Sequence, residues 1–143
     1  MNERGKMKEI EEVENILRQC VDCGLDGMEI TEQFTLEELA SIYNGIGPDR
    51  FPEVLRTALD KLSPSLRPVA FIHDIQYHVG GTKSDFTAAN ALFKTNGKRM
   101  AFATYGWYDP RRYLVWNTAR RFGNLCELFG LKGYNLKTEK VKC

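Results

Sequence analysis

The chain has 143 residues, 43% hydrophobic and 27% charged, with a net charge of +1, which suits one folded core and excludes a disordered chain or a membrane-embedded body. Its first sixteen residues, MNERGKMKEIEEVENI, mix acids and bases where an export signal needs an apolar run, and no stretch reaches transmembrane length. Cys20, Cys23, Cys126 and Cys143, the last of them the final residue, are a poor framework for a disulfide-stapled secreted domain, so a reducing, cytoplasmic setting is expected.

Cys20 and Cys23 form a C-x-x-C, but no second pair and no histidine pair stands at zinc-ligand spacing, so both read as packing or solvent-facing residues. The small net charge hides a gradient. Residues 1–62 carry 7 Lys/Arg against 14 Asp/Glu, and residues 94–143 carry 11 against 3. Such ends either face one another in the fold or leave the basic third free for anionic headgroups or nucleic acid.

In chain order, Ile10, Val13, Ile16, Leu17, Cys20 and Val21 recur at steps of three and four and predict a helix over 7–22 that Gly24 ends. Thr35 with Glu38 reads as a capping box for a short helix over 36–43, stopped by Gly45 and Gly47. Asp49 caps a third expected helix whose apolar face carries Phe51, Val54, Leu55, Ala58, Leu59 and Leu62, and Ser63-Pro64 breaks it. From Pro68 the apolar positions again have helical spacing, which predicts a helix over 68–79 with Gly80-Gly81 as its stop. Ser84 or Asp85 caps a fifth helix through Phe93, and 109–128 reads as a sixth, amphipathic and basic. The expected fold is therefore all-α, one small helical domain over 1–131 followed by a loose basic tail over 132–143.

The chemistry-bearing residues lie in 43–93. Within Phe71-Ile72-His73-Asp74-Ile75-Gln76-Tyr77, a helix puts His73 and Tyr77 one turn apart on one face and turns Asp74 by about 100° to a neighbouring one. Upstream, the alternate glycines of Tyr43-Asn44-Gly45-Ile46-Gly47-Pro48 allow successive carbonyls to face one centre, and hard cations such as calcium favour carbonyls plus a carboxylate. Taken singly, each piece has a plainer reading: His73 as a satisfied core histidine, Gly-x-Gly as a helix stop, and Tyr77 as a packed ring.

Together, Tyr43-x-Gly45-x-Gly47 followed by His73-Asp74-x-x-Tyr77 resembles the calcium loop and active-site helix of the phospholipase A2 superfamily, in particular its disulfide-poor phage and parvoviral members. The resemblance extends into Asp85-Phe86-Thr87-Ala88-Ala89-Asn90-Ala91-Leu92-Phe93 and covers about a third of the chain. It implies an antiparallel helix pair with the glycine loop upstream. It also implies that the carbonyls of Tyr43, Gly45 and Gly47, with the Asp74 carboxylate, hold one Ca2+, while His73 takes a proton from the attacking water. The Gly45 N–H completes an oxyanion hole in that scheme, and Tyr77 supports the histidine.

Position 90 departs from the resembled pattern, where aspartate holds the histidine tautomer and balances the imidazolium, because the amide of Asn90 can do only the first. Asp85 lies five residues earlier, roughly 140° away around a helix, and cannot stand in.

The implied activity is calcium-dependent hydrolysis of phospholipid acyl esters at a membrane surface. The alternative is a non-catalytic phage or prophage module, virion-associated, whose partners are phage structural proteins. Phe102, Tyr105, Trp107, Tyr108, Tyr113 and Trp116, beside Arg111, Arg112, Arg120 and Arg121, read either as core or as a lipid-contact rim. Nucleic acid is not an expected partner, since no helix-turn-helix or zinc signature accompanies the basic charge.

Overall fold

The computed structural model describes residues 3–45 and 64–137, and every regular element among them is helical. The α-helices among the described residues are α1 (Glu3–Asp22), α2 (Leu36–Gly45), α3 (Arg67–Val79), α4 (Lys83–Thr104) and α5 (Pro110–Phe129). Short 3-10 turns occupy Met28–Gln33, Pro64–Leu66 and Gly130–Gly133. The expected all-α class is what is found. The helix anticipated after Asp49, and Gly47 with it, lies outside the described residues.

The central element is α3. Pro68 sits in its first turn, where the missing N–H is no loss, and Val69, Phe71, Ile72, His73, Ile75 and Tyr77 are all buried. Such all-round burial is what a helix apolar on several faces requires. It ends at Gly80, whose φ of 73° and close approach to Asn135 both exclude a side chain, while the Gly80 N–H bonds the Gln76 carbonyl at 2.9 Å. Helix α1 lays Val13, Ile16 and Cys20 on the core, and α2 contributes Leu39, Ala40 and Ile42.

The fifth helix is expected to start at Ser84 or Asp85 and to run through Phe93. The structure corrects both. Thr82 is the cap, with the Asp85 N–H donating to Thr82 Oγ1 at 3.3 Å and the Thr82 N–H to Asp85 Oδ2 at 2.9 Å. The helix then runs on to Thr104 through Asn96-Gly97. Gly97 is helical because α5 crosses there: a Cβ on Gly97 would strike the Ala119 methyl, so only glycine permits the approach. The Asn96 side chain is spent on the preceding chain, accepting from the Asp26 N–H and donating to the Asp26 carbonyl, both at 2.9 Å.

Helices α3, α4 and α5 form an antiparallel succession. His73 and Tyr77 of α3 meet Asn90 and Phe86 of α4 respectively, and Thr87, Lys94 and Phe102 of α4 meet Glu127, Asn124 and Trp116 of α5. The expected antiparallel pair is thus α3 and α4.

Residues 134–137 are not the start of a loose tail. Tyr134 is buried, the Asn135 N–H donates to the Tyr77 carbonyl at 3.1 Å, and Leu136 bridges Gly81. This strap closes over the C-terminal end of α3.

Candidate functional site

The site grows from the α3–α4 contact. His73 and Tyr77, four residues apart, stand on the same face of α3, with ring centroids 4.2 Å apart. Across from them α4 presents Asn90, only 1% exposed. Asn90 Oδ1 lies 2.9 Å from His73 Nε2 and accepts the Tyr77 hydroxyl at 2.7 Å. The structure therefore brings together His73, Asn90 and Tyr77.

Phe93 and Phe122 meet the His73 ring edge-on, at 5.0 and 6.3 Å, and leave the residue 3% exposed. Burial holds the imidazole well below its ordinary value, at about 4, against the opposing pull of Asn90. The ring is consequently neutral at physiological pH, the state a general base requires. Nδ1 has no hydrogen-bond partner among the described residues. The Tyr77 phenol is pushed upward, chiefly by burial, and stays protonated as a donor.

Asp74 is turned about 100° from His73 around α3, and its charge is felt both by Tyr43 of α2 and by Cys126 of α5. Burial pushes its carboxyl up to about 8, and no cationic side chain pairs with it among the described residues. The Tyr43 ring packs against Phe71 at 5.7 Å, and burial raises its phenol, with the charges of Glu12, Arg67 and Asp74 acting on it in that order of weight. A hard cation favours a carboxylate together with carbonyl oxygens, and Asp74 is the carboxylate that the fit would use. Among the described residues no three His, Cys, Asp or Glu side chains converge as a metal cluster, so such a site would lean on carbonyls.

Gly45 needs a correction. Helix α2 extends to Gly45 rather than stopping at 43, so the Gly45 N–H belongs to the helix ladder and points back along it. It does not lie ready as an oxyanion-hole donor. Asp85, set aside in the sequence reading, is engaged with Thr82 and not with the histidine.

Two site residues escaped the sequence reading. Glu127 of α5 accepts from Asn90 Nδ2 at 2.8 Å, and Thr87 Oγ1 donates to the same carboxylate at 2.9 Å. A signal existed: Glu127 is the single acid in α5, a helix that carries four arginines.

The aromatic residues divide. Trp107 and Tyr108 are 76% and 77% exposed, with Tyr113 and Leu114 also exposed, while Tyr105 and Trp116 are half-buried. Arg112 lies 3.7 Å over the Phe102 ring and Lys98 4.8 Å over Trp116. This group occupies the tip of the α4–α5 hairpin, twelve residues or about 18 Å along α4 from Asn90. It does not frame His73.

The C-x-x-C carries no disulfide. Cys20 is buried with its Sγ 3.7 Å from the Pro68 carbonyl, and burial pushes the thiol up to about 12, far from reactive. No helix among the described residues is long and apolar enough to cross a membrane.

Compared with protein-family models, curated proteins and solved structures, the chain matches none.

Proposed function

We propose that this protein is a phospholipase A2-like hydrolase that cleaves acyl esters of phospholipids, with His73 as general base. The observation that carries the reading is the convergence on one Asn90 oxygen of His73 Nε2 and the Tyr77 hydroxyl, at 2.9 and 2.7 Å. That contact holds the ring by one nitrogen and leaves Nδ1 as the only nitrogen able to take a proton from water. Phe93 and Phe122 keep the imidazole dry and neutral, and Tyr77 steadies the acceptor.

Asp74, with the carbonyls that the resemblance assigns to Tyr43, Gly45 and Gly47, would hold a calcium ion, which would polarise the ester carbonyl when bound. Asp74 would supply the single formal charge of that set, and the cation would offset the cost of ionising its half-buried carboxyl. The exposed Trp107, Tyr108 and Leu114, flanked by Arg111 and Arg112, suit an anionic bilayer as the surface on which substrate is met.

The near-complete burial of His73 favours a second reading, in which the same constellation is a satisfied polar core of a phage structural or binding module. The two readings part on one experiment: fatty-acid release from mixed phospholipid vesicles with calcium, for the wild type and His73→Gln. The hydrolase reading expects release by the wild type and a loss of at least a hundredfold in the variant, the scale of general-base contributions. Equal rates for folded proteins favour the structural module.

A further inference from the structure

Asn90 poses a problem that its own contacts do not solve. A side-chain amide offers an oxygen acceptor on one side and an N–H2 donor on the other, and it can sit either way round. The two groups on its inner side cannot choose between these orientations. Imidazole Nε2 accepts in one neutral tautomer and donates in the other, and the Tyr77 hydroxyl does both. Turned over, Asn90 would donate to a bare His73 Nε2, put the proton on Nδ1, and abolish the base.

The group that decides is on the outer side. An ionised carboxylate only accepts, and Glu127 Oε2 stands 2.8 Å from Asn90 Nδ2. Turning the amide would set Asn90 Oδ1 against a carboxylate oxygen with no proton between them. Thr87 Oγ1, donating to Oε1 at 2.9 Å, holds the carboxylate in place. Glu127 is exposed, so its charge stays hydrated, while Asn90 carries the effect inward to the buried ring.

We propose that Glu127 is a positioning residue for His73: acting through the Asn90 amide, it fixes the tautomer protonated on Nε2 and bare on Nδ1, so that an asparagine serves where a carboxylate is expected. The inference rests on the hydrolase reading for its purpose but not for its test. The charge is displaced outward by one hydrogen bond, and the amide dipole is aligned with its negative end on the imidazole. A proton arriving at Nδ1 is met by that dipole.

Isosteric exchange tests this. Glu127→Gln keeps the shape and a hydrogen bond to Asn90, but a glutamine amide can itself turn and so restores the ambiguity. Asn90→Asp/Glu127→Gln swaps carboxylate and amide and again places an acceptor-only group against His73. The readout is the pair of imidazole 15N shifts in metal-free protein, in a His78→Gln background that leaves His73 as the only histidine.

The wild type is expected to show the Nε2–H tautomer alone, Glu127→Gln both tautomers, and the double exchange one tautomer again. In vesicle hydrolysis kcat should fall severalfold in Glu127→Gln with KM unchanged. An unaltered spectrum in Glu127→Gln, or a wild type protonated on Nδ1, overturns the proposal. A wild type that shows the expected tautomers yet releases no fatty acid overturns the hydrolase reading and leaves the positioning role intact.

Discussion

Asn90 is buried and joins three other side chains by hydrogen bonds, so removing its polar atoms leaves His73 Nε2 unsatisfied in the core. Asn90→Leu should lower unfolding stability by roughly 1–3 kcal/mol in a urea titration, the cost of leaving a buried polar group unsatisfied. Asp74 gives a prediction with a sign. Its folded-state value of about 8 lies above the ordinary 3.8, so the folded chain holds a proton that the unfolded chain has released. Stability contributed by that proton is complete below about pH 4 and is lost as pH rises through about 8. In chelator, Asp74→Asn should therefore be more stable than the wild type at pH 9, by on the order of a few kcal/mol, and equal to it near pH 4. Calcium should raise the wild-type melting temperature at pH 8 and leave that of the variant unmoved.

The residue scale also shows what a sequence can disclose. His73 and Tyr77 are legible because i and i+4 share a helix face. The pairing of Asn90 with His73 was legible only through resemblance, since nothing local links positions 73 and 90. Glu127 was not legible as a partner: it meets Asn90 across 37 residues of chain, and an acid on an amphipathic helix reads as surface.

At the scale of elements, caps and apolar periodicity placed α1, α2, α3 and α5 closely, because Thr35, Pro68, Gly80 and Asp109 act on their own helices. Helix α4 runs past the expected end near Phe93 and through Asn96-Gly97, where tertiary packing overrides the weak local helix preference of the pair. Glycine at 97 is demanded by the neighbouring helix rather than by a turn, and that inverts the usual rule. In an isolated helix Gly→Ala gains about 1 kcal/mol. Gly97→Ala here should instead lose roughly 1–3 kcal/mol through the clash with Ala119, read as a fall in denaturation midpoint. A gain would show that α4 and α5 separate readily. The Thr82 cap behaves ordinarily, and Thr82→Ala should cost about 1 kcal/mol.

At the scale of the whole molecule, the acidic and basic thirds do not neutralise one another through a dense seam. Among the described residues the ion pair between the basic C-terminal third and the acidic N-terminal region is Arg99 with Asp26, at 3.0 Å. At the hairpin tip Arg111 pairs with Asp109 at 2.7 Å and Arg112 stacks on Phe102, beside the exposed Trp107 and Tyr108. Trp107→Ala/Tyr108→Ala should leave stability within about 0.5 kcal/mol, as surface changes do. The same variant should weaken sedimentation with anionic vesicles severalfold.

The central claim, that His73 in this cage is a base and not a core residue, is tested most directly by fatty-acid release from mixed phospholipid vesicles by wild type and His73→Gln, each with calcium and with chelator. The account predicts release by the wild type with calcium alone, and none above background in the other three conditions. Release that survives His73→Gln, or a folded wild type that releases nothing with calcium, would contradict it.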